Sequence, residues 1–203
     1  MCENLHVIHN FVPLLDSNRL LLASYEGVYL SRRRSRSQDP GSALLYAANQ
    51  YNPKGSRGAS EIKATAGLGE GPTIATIEPW HGNQVVVSRL SADNSWDRKI
   101  IDDHLRWGHG LWFADLDGDK INELIVGVRD DPAKDDKFKE RRGVRVYKCT
   151  DGKGEKWTRQ MVDDGGVAVE DLTAADLDGD GKIDIIAVGR QTHNLRIYWN
   201  KGK

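Results

Sequence analysis

The sequence predicts an all-β protein built from tandem four-stranded blades, about four of them, in a propeller-like arrangement. Three observations predict it. Apolar runs are short, about four to seven residues, and are punctuated by polar, glycine-containing turns. The composition sets six Trp, six Tyr and 21 Gly against two Met, which suits strands joined by tight turns, and helical stripes at i, i+3, i+4 are hard to find. Above all, the chain repeats itself with a fixed period.

The repeat is clearest in the second half. Trp96-Asp97-Arg98-Lys99-Ile100-Ile101-Asp102-Asp103 returns as Trp157-Thr158-Arg159-Gln160-Met161-Val162-Asp163-Asp164, and the loop that starts at Asp115 returns at Asp176; both shifts are 61 residues, as 96 to 157 and 115 to 176. Glu123-Leu124-Ile125-Val126 matches Asp184-Ile185-Ile186-Ala187, and Arg129 falls opposite Arg190 at the same spacing. The third module carries an extra charged stretch, Asp130–Arg142, before Val144-Arg145-Val146-Tyr147 and reads as a surface insertion; the fourth runs directly to Leu195-Arg196-Ile197-Tyr198. Two weaker modules precede these, with Leu20–Ser24 and Val28-Tyr29-Leu30 in one and Thr73–Ile77 and Val85-Val86-Val87 in the other. Neither keeps an aspartate loop, although Leu15–Arg19 reads as a shortened remnant.

Each module is expected to run from an inner strand through a loop to second and third strands and an outer strand bearing Trp-x-Arg. One repeat domain, 1–203, then divides into modules at about 9–50, 58–103, 109–164 and 170–203. The last lacks an outer strand, and residues 3–8, with Leu5-His6-Val7-Ile8, are the candidate closing strand. Such closure would cover edges that otherwise invite association. Gly41–Gly58 reads as a flexible connection and the four arginines of Ser31–Ser37 as a solvated turn.

The candidate metal ligands lie in two equivalent loops. Asp115, Asp117, Asp119 and Glu123, and likewise Asp176, Asp178, Asp180 and Asp184, stand at relative positions 1, 3, 5 and 9. Four carboxylates in so short a span repel one another unless a cation neutralises them, and an all-oxygen donor set selects a hard ion, Ca2+ or Mg2+, over a transition metal. An EF-hand fails, because position 12 is Val126 or Ala187 instead of Glu and the flanks are strand-like. The competing reading is a solvated hairpin in which Asp and Gly serve the backbone alone. Lys120 stands where the second loop has Gly181, which costs the first loop turn flexibility and adds a competing cation.

These loops, each followed by a short apolar strand, resemble the FG-GAP and VCBS repeat family over roughly Trp96–Trp199. The resemblance implies β-propeller blades, calcium in the DxDGDxxxD loops, an extracellular or periplasmic location and a carbohydrate or protein ligand. Glu78–Asn83, Trp107–Trp112 and Thr192-His193-Asn194 also resemble the propeller part of aldos-2-ulose dehydratase-like proteins, which implies a sugar-lyase ancestry. Such propellers usually have more blades, so a truncated relative, a half that forms a homo-oligomer and a four-bladed form all stay open.

The candidate catalytic residues are His81, His109, Glu170 and His193. The repeat places Glu170 opposite His109, each just before an inner strand, where successive blades converge, while His81 and His193 occupy turns after second strands. Together they could bind a second metal or act as general acid and base on a sugar hydroxyl. A binding scaffold is the preferred reading, since nothing resembles a nucleophile with its base; the alternative is a carbon–oxygen lyase acting on a sugar-like substrate. Trp80, Trp107 and Trp112 are candidates for sugar stacking, with core packing as the rival role.

Composition excludes other classes. Lys and Arg number 29 against 30 Asp and Glu, so nothing draws the chain to nucleic acid or an anionic membrane. No apolar run approaches the roughly 20 residues of a spanning helix, which argues against membrane insertion. Cys2 and Cys149 lie too far apart for a disulfide framework or zinc ribbon, and Met1-Cys2-Glu3-Asn4 is no secretory signal.

Overall fold

Strands in this chain are buried in proportion to how many neighbouring sheets cover them, and that gradient reveals the architecture. The computed structural model describes residues 7–14, 19–32, 42–46, 58–66, 68, 71–93, 95–129 and 142–202. Most of the connection at 41–58, most of the basic run at 31–37 and nearly all of the insertion at 130–142 lie outside the described residues. Among the described residues there is no helix, and none is long and apolar enough to cross a membrane.

The strands of the described residues fall into four antiparallel sheets, each a meander in chain order. The first holds β1 (Ile8–Leu14), β2 (Arg19–Ser24), β3 (Gly27–Arg32) and β4 (Ser42–Tyr46). The second holds β5 (Glu61–Thr65), β6 (Thr73–Glu78), β7 (Gln84–Leu90) and β8 (Trp96–Asp102). The third holds β9 (Gly108–Ala114), β10 (Glu123–Val128), β11 (Gly143–Cys149) and β12 (Trp157–Asp164). The last has three strands, β13 (Val169–Ala175), β14 (Asp184–Gly189) and β15 (Asn194–Tyr198).

The first strand of each sheet packs against the first strand of the next, β1 on β5, β5 on β9 and β9 on β13, as the inner strands of propeller blades do. Three apolar layers fill the spaces between sheets. Leu21, Val28, Ile62 and Ile74 join the first two; Ile77, Val87, Leu111, Val126 and Tyr147 join the second and third; Ile125, Val146, Leu172 and Ile185 join the third and fourth. Strands β6 and β10 are buried at every residue because their sheets are covered on both faces. Among the described residues the last sheet is covered on one face only. Val188 pairs with Leu195 and Ile186 with Ile197 on the outer face of the last sheet, where Val188, Leu195 and Ile197 stay 39%, 59% and 39% exposed. Phe11 and Leu20 are exposed in the same way on the first sheet.

The described part of the expected closing segment behaves differently from the expectation. Ile8 pairs with Ser24, and the Tyr25 amide donates to the Val7 carbonyl, so Val7 and Ile8 prolong the inner strand of the first sheet. That inner position follows from the apolar face Val12 and Leu14 offer to the first interlayer core. Residues 1–6 lie outside the described residues.

Candidate functional site

The two aspartate loops are hairpin turns between first and second strands, β9 to β10 and β13 to β14. They share one backbone cradle. The carboxylate of Asp115 accepts hydrogen bonds from the amides of Gly118 at 2.8 Å and Lys120 at 2.9 Å, and Asp176 accepts from Gly179 and Gly181 at the same distances. At the far end Glu123 accepts from the Leu116 amide and Asp184 from the Leu177 amide. Gly181 takes a φ of 84°, and Lys120 is held in the same left-handed region at 70°, where its side chain is strained.

Three of the four expected ligands converge in each loop. One oxygen each from Asp115, Asp117 and Glu123 lie within 4.8 Å of one another, as do those of Asp176, Asp178 and Asp184. The fifth-position carboxylates stand outside these trios: Asp119 accepts from the Ile121 amide and from Lys148, and Asp180 accepts from the amide and ammonium of Lys182. Strands flank both loops, so the EF-hand alternative has no helices to stand on.

Both loops hold a lysine ammonium, Lys182 beside Asp180 in the second, but in the first it arrives from another strand and touches three carboxylates. The Lys148 ammonium reaches from β11 into the first loop, 2.5 Å from Asp117, 2.7 Å from Asp119 and 3.5 Å from Glu123. Those carboxylates, Asp117 first, hold the ammonium well above its ordinary pKa, so it is charged at any working pH. Burial pushes the Glu123 carboxyl up. In the last sheet the residue after Tyr198 is Trp199, so no lysine corresponds to Lys148 there. The first loop therefore carries a tethered cation that a divalent ion must displace. If calcium occupies the first loop, Lys148→Met is expected to tighten its binding roughly tenfold, because a unit charge a few ångströms from the ion is removed in a largely solvated setting. Calorimetric titration of wild type and variant measures it, and an unchanged affinity would mean that the ammonium and the ion do not share the loop.

The loops are stitched together across the sheets. The Asn200 side-chain amide donates to the Leu116 carbonyl at 2.7 Å and to the Ile183 carbonyl at 3.2 Å, while its backbone amide donates to Asp184. Beside both loops opens a cavity of about 1170 Å³ whose lining includes Asp117, Lys148, Arg159, Lys182 and Trp199. Trp199 is 46% exposed.

A second constellation forms where the inner strands begin. One residue near the start of each inner strand faces the others: His9 on β1, Glu61 on β5, His109 on β9 and Glu170 on β13. His9 Nδ1 lies 3.3 Å from the Glu61 carboxylate and His109 Nδ1 3.8 Å from it. The turn after β6 adds His81, whose ring stacks on His109 at 4.7 Å and 6° and meets His9 edge-on at 4.4 Å. Trp80 packs edge-on against His9, and Trp107 lies parallel to His81 with the Arg129 guanidinium over the Trp107 ring, 5.8 Å from its centroid.

Of the expected catalytic residues, the structure brings His81 and His109 together and sets Glu170 beside them, bonded to Arg129 at 3.0 Å and 3.6 Å from Arg190. His193 stays apart: it repeats the turn position and left-handed φ of His81, 50° against 48°, yet is exposed. His81 leans on the sheet that follows it, whereas the last sheet has its outer face exposed. His9 was not foreseen, because its stretch carries no repeat signal; sheet packing alone delivers it. None of the three candidate stacking tryptophans is fully exposed, and Trp112 packs against the core between the third and fourth sheets.

Burial, reinforced by the nearby positive charges of His109, His9 and Arg129, pulls the His81 imidazole down to about 3. Burial also lowers His109, whereas the Glu61 hydrogen bond raises His9. At neutral pH the stacked pair is thus uncharged, and His9 is the ring whose protonated form its neighbours favour. No known family model matches the chain, and no curated protein sequence matches it either.

Proposed function

We propose that this chain is a calcium-binding, propeller-type module of the FG-GAP and VCBS kind, working outside the cytoplasm as a binding or structural scaffold for a carbohydrate or protein ligand. One observation carries the reading: in two hairpins 61 residues apart, the carboxylates at positions 1, 3 and 9 converge on a common centre within the same backbone cradle. A hard ion taking six to eight oxygens completes its shell from these groups, nearby carbonyls and water. The cavity beside the loops, with Trp199 at its edge, is where a polar ligand would dock.

Calcium at about a hundred times its dissociation constant is expected to add about 2.7 kcal/mol to stability for each loop it occupies, and to raise the melting temperature by about 5 to 10 °C per loop. Asp178→Ala combined with Asp180→Ala should remove the share contributed by the second loop. Thermal unfolding with and without calcium measures both, and a response untouched by the double variant means that the second loop holds no ion.

A second reading is a carbon–oxygen lyase acting on a sugar-like substrate. Its support is the stacked, uncharged pair His81 and His109 beside the Arg129–Glu170 ion pair, since an unprotonated imidazole can take a proton from carbon next to a carbonyl.

A further inference from the structure

We propose that His9, His81 and His109 form a second metal site, a three-imidazole site for a divalent transition ion of the zinc type. It is chemically separate from the aspartate loops and does not depend on them.

Three observations carry it. One ring nitrogen from each histidine lies within 4.8 Å of the other two, which is the spacing of donors that can share an ion. The Nδ1 atoms of both His81 and His109 are buried and have no hydrogen-bond partner, and His109 as a whole is only 8% exposed. A buried nitrogen left unpaired is destabilising; a bound ion would remove that cost. Finally, His9 carries the outer support a metal ligand needs. Its Nδ1 donates to the Ser60 carbonyl at 2.8 Å with the Glu61 carboxylate beside it, which fixes the ring; in the neutral tautomer this requires, the lone pair an ion would take is on the other ring nitrogen.

The surroundings fit a cation. Glu61 is 3% exposed, is anchored by the Asn10 side-chain amide at 2.5 Å, and places negative charge beside two of the rings. The positive Arg129 is matched by Glu170 at 3.0 Å. Three nitrogens select a borderline transition ion, where the all-oxygen loops select a hard one, so the two kinds of site discriminate between metals by donor chemistry. Three protein ligands also leave a coordination position open. A histidine whose lone pair is committed to an ion is no longer a base, so metal occupancy and base catalysis by His81 or His109 are alternative states of one site.

Co2+ titration of the calcium-saturated protein tests the site, because Co2+ in a nitrogen-rich site of low coordination number shows visible absorption bands that ions on oxygen loops show only weakly. One equivalent is expected to bind with strong bands. His9→Gln, at a ring that is 26% exposed and so tolerates change, should weaken binding roughly a hundredfold, as should His109→Gln, whereas His193→Gln should not. The Asp178→Ala, Asp180→Ala double variant should keep the bands. Absent bands, or bands indifferent to His9→Gln, would overturn the proposal, as would bands lost with the loop variant; none of these results bears on calcium in the loops.

Discussion

Arg98→Ala is expected to destabilise the protein by about 3–5 kcal/mol, the cost of stranding a buried charge. Arg98 on β8 reaches across β7 to the Glu78 carboxylate at the end of β6, donating from Nε at 3.1 Å and from Nη2 at 2.6 Å. Both side chains are almost sealed from water, 5% and 1% exposed. Thr76 donates to the other Glu78 oxygen at 2.7 Å, so the carboxylate is hydrogen-bonded on both sides while Arg98 is present. Without the guanidinium the carboxylate must ionise in a low-dielectric layer or take up a proton. Replacing both partners, as Arg98→Leu with Glu78→Leu, should recover most of the loss, because two apolar side chains leave no charge to desolvate. Urea unfolding of the two single variants and the double variant tests this; a double variant no better than the sum of the singles would show that the pair contributes through packing and not through charge.

The Trp-x-Arg signature of the outer strands was legible, but the partner of its arginine was not. Glu78 pairs with Gln84 where, one sheet on, Val128 pairs with Gly143. Arg159 therefore finds no carboxylate within its own sheet at that place and reaches Asp102 of the preceding one, at 3.0 Å. A repeat announces that two residues occupy the same place on two blades; what they meet there depends on the neighbours, which vary freely.

The same limit explains the two candidate sites. The aspartate loops could be read because their geometry is local: residues 1, 3 and 9 of a hairpin converge through backbone turns set by Gly118, Gly179 and their neighbours. Lys148 could not be read into the first loop, since it arrives from a strand 31 residues beyond Asp117. At the axial site the sequence placed His109 and Glu170 at equivalent strand starts, whereas His9 and Glu61 join them only through the packing of β1 on β5 and β5 on β9. His193 stays apart from the other two histidines for a related reason. It has the turn of His81, without a following sheet among the described residues to lean on.

Removing the carboxylate of Asp102 is expected to cost about 3 kcal/mol, since hydrogen bonds to charged groups contribute about 1.5–3 each and Asp102 accepts from two side chains. Asp102 and Asp163, equivalent at 61 residues, stand at the ends of the outer strands β8 and β12. Each sits at a β-bulge, between Val85 and Val86 in one sheet and between Val144 and Arg145 in the other, and a bulge re-aims the side chain of its strand. Here the result is a clasp to the next sheet. The buried Tyr147 hydroxyl donates to Asp102 at 2.6 Å, and Tyr198 donates to Asp163 at 2.7 Å. Burial by itself would raise the Asp102 carboxyl, but the Tyr147 hydroxyl, the His104 amide and Arg159 outweigh it and hold it below the usual carboxylate range. The clasp's stability is thus whole above the unfolded aspartate value of about 3.9 and is lost as pH falls through the lower folded value. Tyr147→Phe should cost about 1.5–3 kcal/mol at neutral pH and make acid unfolding less steep, while Asp102→Ala should cost more, because it leaves the Tyr147 hydroxyl buried without this acceptor. Denaturant unfolding from neutral to acidic pH checks both. Equal losses at every pH in wild type and variants would mean that Asp102 carries no ionised clasp and that the sheets are joined by their apolar layers alone.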